Sequence, residues 1–510
     1  MTHSRTPRPL AALLILAAAG CTPGPDFVRP TTPTPAHWTT RTPTARPANA
    51  TDTLPAGTHV GGVDERPLEA ASWWTIFDDP ELDSLVGRAR AANLDLRAAV
   101  LRIEESRAQL DTAGASRWPQ LDANAAFSRS RISETTPTGA IYSGIDNLHL
   151  PISIPNPSNQ YQVAAAASWE PDLFGRVRRS LEAVDASLQG TVEEQRDVLV
   201  SLSADTAQAY FDLRGAQRRR AIALGNLATM TDLLQLTQQR RAAGLTTDVD
   251  VSEAQAQVSA TRATLPALDL VITQAINRLS LLLAQPPGAL RQELDAAGPA
   301  GGPAIRAAPP LPRVPAEVSI GIPADLARRR PDIRAAEAGL HAATAQIGVA
   351  VADLFPRLTL SAQGGMQSQS ASELGEWASR FGSIGPTLEL PVFDRGRWTA
   401  VRVQKVRARE AALTYQRTVL DALHEVDNAL AAYGADQRQR AWLDQAVTQN
   451  RDTLVLARLR YQSGVATFID VLDAERTLQQ NESAAAQSAA AVDSDLAQLY
   501  RVLGGGWSPR

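Results

Sequence analysis

Arg460 to Asp473 reads RYQSGVATFIDVLD, and Arg240 to Glu253, an offset of 220, reads RRAAGLTTDVDVSE. Five positions recur in register: Arg240 with Arg460, Gly244 with Gly464, Thr247 with Thr467, Asp250 with Asp470, and Val251 with Val471. Pro171 and Pro391 share that offset, so both copies keep 73 residues between proline and glycine. A second set, including Asp95, Arg97, Gln109, Pro119 and Leu121, recurs at an offset of 237 as Asp332, Arg334, Gln346, Pro356 and Leu358. The chain is a duplication. Its offset changes only between Pro119 and Pro171, against Pro356 and Pro391. The segment of fixed length reads as a packed element and the variable one as a loop.

The fixed segment predicts a helix. Ala408, Ala412, Tyr415, Val419, Ala422, Val426, Ala429 and Tyr433 alternate spacings of four and three, the seam of a coiled coil, and the first copy begins likewise with Val177, Leu181, Val184 and Leu188. A helix over 176–243 is about 100 Å long. Gly244 and Gly464 suit its C-terminal cap, and further helices are expected over 249–284 and 469–503. Each repeat is then a long antiparallel helical hairpin turning at its glycine. Coiled-coil scaffolding alone is the alternative for these helices.

The variable segments predict β-hairpins. Leu121, Ala123, Ala125 and Phe127 alternate with Asp122, Asn124, Ala126 and Ser128, and Tyr161, Val163, Ala165, Ala167 and Trp169 with Gln162, Ala164, Ala166, Ser168 and Glu170. In the second copy Leu358, Leu360 and Ala362 alternate with Thr359, Ser361 and Gln363, while Ile384, Leu388 and Leu390 flank Thr387 and Glu389. Strands of this length, apolar on one face, suit about 9–11 residues across a bilayer. Four strands cannot close a barrel, and an open edge in lipid leaves backbone groups unpaired. Oligomerisation follows: two chains give a filled interior, three give twelve strands and room for a channel.

Composition narrows the function. The 510 residues carry a net charge of -4, which makes nucleic acid an unexpected partner. One cysteine excludes an internal disulfide, a Cys-based zinc site and an iron–sulfur cluster. His3, His37, His59, His149, His341 and His424 form no HExxH spacing, and no GxSxG, Walker A or GxGxxG element occurs. No catalytic residue, metal site or cofactor is expected. Residues 1–20 read as a signal peptide ending at Ala18-Ala19-Gly20-Cys21, which resembles a bacterial lipobox; ordinary cleavage beside an incidental cysteine is the alternative. Residues 21–67, rich in Pro, Thr and Ala, read either as an extended segment lying on other structure or as a tether. No apolar run of 18 residues follows, so any membrane crossing must use strands.

This pattern resembles the outer-membrane factor family, the TolC-like efflux ducts, and specifically its lipoprotein branch serving multidrug pumps. The matching stretches are CTPGPDFVRP (21–30), WEPDLFGR (169–176), RRPDIRAAE (329–337), FDRGR (393–397), RYQSGVATFIDVLD (460–473) and LGGGW (503–507). The resemblance implies a mainly α fold with a membrane β-barrel: antiparallel coiled-coil hairpins forming an α-barrel, plus four strands per protomer, in a homotrimer with a 12-stranded barrel. It implies a signal peptide at 1–20, a lipidated segment at 21–67, repeats at 68–290 and 323–503, a Pro/Gly-rich linker at 291–322 and a tail at 504–510. It further implies passive conduction of substrates such as drugs in the outer membrane. The implied partners are outer-membrane lipid, a periplasmic membrane-fusion adaptor and an inner-membrane pump of the RND type. A pore-less periplasmic scaffold and a duct for type I secretion are the alternatives. Implied sites are lipidation at Cys21, a periplasmic gate at Ile469, Asp470 and Asp473, and a tip lock at Tyr461 and Asp250 whose usual arginine is replaced by Ala466. The turns Gly244, Leu245 and Thr247, and Gly464, Val465 and Thr467, are the implied adaptor-docking points. For Asp470 an ordinary helix N-terminal role is the alternative.

Overall fold

In chain order the elements are β1 (Gly62–Asp64), α1 (Pro80–Ala92), α2 (Leu94–Ala115), β2 (Gln120–Ser130), β3 (Ser158–Trp169), α3 (Arg176–Ala242), α4 (Asp248–Leu282), β4 (Glu317–Ser319), α5 (Pro331–Ala352), β5 (Arg357–Ser368), β6 (Arg380–Glu389), α6 (Arg395–Gln462) and α7 (Phe468–Val502), with single helical turns between some of them. They come from a computed structural model that describes residues 23–31, 33–40, 62–66, 71–141, 155–295, 312 and 317–508. The signal segment and Cys21 lie outside the described residues. The duplication is visible in the lengths: α3 and α6 have 67 and 68 residues, and α4 and α7 have 35 each. Both long helices stop within two residues of their glycine, which takes the left-handed conformation that an L side chain resists.

The chain divides into two units. The first gathers Glu104–Gln189 and Ala338–Leu413 with the described residues before Pro30. Its four-stranded sheet has the order β2-β3-β5-β6, antiparallel throughout. Matching motifs build the joints from strand to helix. After β3, Glu170 accepts from Arg176 at 2.9 and 2.8 Å, and Asp172 accepts from the first amides of α3. After β6, Glu389 accepts from Arg397, Asp394 accepts from the Arg397 amide, and Arg397 also donates to the Asp353 carbonyl.

In this unit the start of α3 differs from the predicted seam. Val177, Leu181, Ala183 and Ala186 are buried, whereas Val184 and Leu188 are half-buried. The cause is a neighbour the sequence did not place. Arg179 donates to the Pro23 carbonyl and pairs with Asp26 at 2.6 Å, Phe27 stacks on His341 of α5, and His341 contacts Glu182 at 3.0 Å. Here the described residues from Pro23 to Phe27 lie on helices.

The second unit comprises Pro30–Ile103, Gly190–Glu337 and Thr414–Arg510. Its core joins Trp73, Phe77, Tyr210, Phe211, Leu279, Val426, Tyr433 and Tyr500, with Trp73 and Tyr500 stacked at 5.2 Å. Large side chains buried so completely contribute about 1.5–3 kcal/mol each. The predicted seam of α6 is buried from Tyr415 to Tyr433. Trp38 is 4% exposed and donates to the Gly321 carbonyl, and β1 pairs in parallel with β4, so here too the described part of the early segment lies on the fold.

Asp493 of α7 is 1% exposed, and neither carboxylate oxygen has a hydrogen-bond partner among the described residues. Burial pushes it up to about 8, against the opposing Arg440. An unfolded aspartate titrates near 3.9, so the folded chain holds the extra proton between these values and stability falls as pH rises through them. Asp493→Asn is therefore expected to raise the melting temperature by several degrees at about pH 9 and to change it little below about pH 4. An unchanged pH slope in calorimetry contradicts this.

Candidate functional site

The first candidate surface is the sheet. Its register brings the period-two pattern of all four strands into phase. Ala123, Ala165 and Gly364 lie across from one another, as do Ala125, Val163 and Met366. Leu358 faces Leu388, and Ala362 faces Ile384. The opposite face carries Asp122, Ala166 and Gln363 in one row, with Gln363 facing Ser383. Leu121, Phe127, Val163, Ile384 and Leu388 are exposed, so the apolar face is covered by no part of the chain described. Trp118, Phe393 and Trp398 are exposed where helices meet strands, and Trp377 is exposed at the other end of β6. Aromatics flanking an apolar band suit a membrane interface. Among the described residues, strands β2 and β6 are edges without a partner on their outer side.

The second is the pair of hairpin turns in the second unit. Gly244 and Gly464 have φ of +76° and +77°. Each closes its helix with two reversed hydrogen bonds: Leu245 to Arg240 and Gly244 to Arg241, then Val465 to Arg460 and Gly464 to Tyr461. The next helix begins on a threonine and an aspartate. The Asp250 carboxylate accepts from the Thr247 amide at 2.9 Å and from the hydroxyls of Thr246 and Thr247. Asp470 accepts from the Thr467 amide at 2.8 Å and from its hydroxyl at 2.7 Å. These bonds hold both carboxyls below the ordinary range, the Thr246 and Thr467 hydroxyls contributing most. Asp470 thus fills the helix N-terminal role weighed against the gate.

Ile469 and Asp473 are exposed, Asp473 reaching Arg476 at 3.8 Å. Tyr461 is 6% exposed within a cluster that includes Met230, Ala254, Leu454, Phe468 and Leu472. Its hydroxyl has no hydrogen-bond partner among the described residues. Among the described residues no bond joins Tyr461 to Asp250, whose Oδ2 accepts from Thr246 and Thr247 instead. Leu245 and Val465 are exposed at the turns. Among the described residues no helix is long and apolar enough to cross a membrane, and no group of three or more His, Cys, Asp or Glu is placed to hold a metal ion.

The sequence profile described as "Outer membrane efflux protein" matches residues 85–285 and 322–505. The chain belongs to the outer membrane efflux protein family. Among its relatives, the toluene efflux pump outer membrane protein TtgI of Pseudomonas putida is 32% identical over 506 residues, covering 98% of each chain. The pyoverdine export outer membrane protein OpmQ of Pseudomonas aeruginosa is 31% identical over 499 residues, covering 98% of this chain and 96% of OpmQ. The solved outer-membrane channel OprN superposes with a TM-score of 0.80 at 35% identity, covering 96% of this chain and 100% of that one. A member of the outer membrane efflux protein family resides in the outer membrane, so the apolar sheet face is its lipid face and the helices extend into the periplasm. The α-barrel and β-barrel architecture of the solved channels is the one the resemblance implied.

Proposed function

We propose that the chain is the exit duct of a tripartite efflux system, working as a homotrimer whose three sheets close a twelve-stranded barrel. The observation that carries this is the sheet: one lipid-compatible face in register across four strands, with two open edges. An unpaired backbone group in hydrocarbon costs several kcal/mol, and joining β2 of one protomer to β6 of the next removes every edge. Equal hairpin lengths then place all six turns at one level, where an adaptor docks on Gly244, Leu245, Thr247, Gly464, Val465 and Thr467. An RND-type inner-membrane pump supplies the energy and chooses the cargo. That the relatives are named for cargoes as unlike as toluene and pyoverdine supports a duct with little selectivity. Acylation of Cys21 fastens the mature N-terminus to the membrane, since several acyl chains together give stable anchoring.

The test is export. A strain lacking its own outer-membrane component, supplied with this chain and its adaptor and pump, is expected to expel ethidium; equal export without the chain overturns the proposal.

At the periplasmic end Ile469 and Asp473 line the narrowest passage, in three copies each. A ring of carboxylates favours cations. Asp473→Asn is expected to lower the potassium-over-chloride permeability ratio by about two- to threefold, read from reversal potentials. Asp470→Asn acts on its turn instead, weakening the cap by about 1 kcal/mol.

A further inference from the structure

One contact at the tip crosses between the two hairpins, and neither helix cap accounts for it. Arg240, in the last turn of α3, places its guanidinium carbon 4.5 Å from the centre of the Tyr461 ring, in the last turn of α6. Phe468 meets the same ring edge-on, 5.9 Å between centroids at 62°. Two polar atoms at this contact, the Tyr461 hydroxyl and the Arg240 Nε, are buried and unpartnered among the described residues. Further from the turns Arg476 donates to Gln257 at 2.9 Å and apolar side chains of both hairpins pack together; beside the turns themselves the link is the cation over the ring face. That attraction grows where water is excluded, as it is around this buried ring.

The contact has a direction. The repeat places Arg460 at the position of Arg240, and Arg241 at the position of Tyr461. The first hairpin therefore supplies the cation and the second the ring. Arg241, one residue on, is engaged within its own hairpin, donating to Asp248 at 2.7 and 2.8 Å. Ala466 offers no cation from the second hairpin, and Arg240 provides one from the first.

We propose that Arg240 is the latch of the resting tip, holding the first hairpin to the second through the face of Tyr461 and not through its hydroxyl. The inference rests on the duct reading above and names a positioning residue within it. The hydroxyl-based lock and the ring-based latch make opposite predictions for one substitution. Removing only the hydroxyl leaves the latch intact; removing the ring or the cation releases it.

The experiment records purified trimers in planar bilayers and, in parallel, amide hydrogen exchange at residues 241–247 and 461–467. Arg240→Ala and Tyr461→Leu are each expected to raise open-state occupancy and turn exchange about tenfold, and the double variant to add little to either. Tyr461→Phe is expected to stay with the wild type, as is Arg241→Ala, which removes an adjacent positive charge that does not cross hairpins. Heat-stable trimers on gels confirm that each variant is assembled. Opening by Tyr461→Phe to the level of Arg240→Ala overturns the latch, and so does unchanged exchange in assembled Arg240→Ala. A wild type that never conducts overturns the duct reading, while the exchange data still decide the latch.

Discussion

Ala165→Arg removes the heat-stable trimer from the outer membrane, whereas Ala166→Arg, one residue further, leaves it in place. Ala165 sits mid-strand in β3, opposite Ala123 and Gly364, on the face shared with Val163, Leu121 and Ile384. Its neighbours are small, so the cost of arginine there is electrostatic and not steric. A cation on the lipid face at mid-depth costs about 2–4 kcal/mol per chain, and a symmetric trimer meets it three times. Ala166 lies opposite Asp122 and Gln363, where the neighbours are larger but polar and the surroundings aqueous. The assay is trimer yield in the outer-membrane fraction on unheated gels. Equal yields from the two variants contradict the assignment of faces.

Arg330→Ala is expected to lower the melting temperature of the assembled protein by roughly 3 °C. Arg330 is 9% exposed and binds three elements at once. It donates to Asp332 at the start of α5 at 3.0 and 2.7 Å and to the Val502 carbonyl at the end of α7 at 2.9 Å, and it pairs with Glu425 of α6 at 2.8 Å. Its loss leaves the partly exposed Asp332 and Glu425 carboxylates facing one another without the cation, a defect of about 2–3 kcal/mol once solvent screening is allowed for. Asp197 shares this cavity of about 530 Å³, where burial and then the Asp332 carboxylate hold it above its ordinary range. The folded chain already keeps a proton there that the unfolded chain releases, so the deficit deepens as pH rises through that interval. Arg330→Lys recovers only part, because an ammonium cannot match the planar fork to Asp332 while reaching Val502. An unchanged melting temperature would contradict the role.

Most of the architecture was legible because duplication turns two weak patterns into one strong one. The shared spacing from Pro171 to Gly244 and from Pro391 to Gly464 announced equal helices, and strand alternation announced a sheet with a lipid face. What escaped has no spacing signature. The three residues of β1 and of β4 meet across the chain with no period to reveal them. The start of α3 buries Ala183 and Ala186 because it packs on α5 and on residues around Asp26, a contact no heptad records. At the tip, Asp470 read as a gate carboxylate with a helix N-terminal role as the alternative, and Asp250 as part of a tip lock; in the structure each accepts from the threonine that opens its helix. Arg240 stood out in the sequence only as a repeat position, because its contact with the Tyr461 ring depends on which hairpins are neighbours. Cys21 lies outside the described residues, and its acylation stands on the sequence.

The proposed duct is a passive conduit built from three copies of this chain. Purified full-length protein, added to a planar lipid bilayer with no energy source, is the most direct measurement. Discrete, ohmic, cation-preferring current steps from a heat-stable trimer are the predicted result; a water-soluble monomer that leaves the bilayer silent is the result that contradicts it.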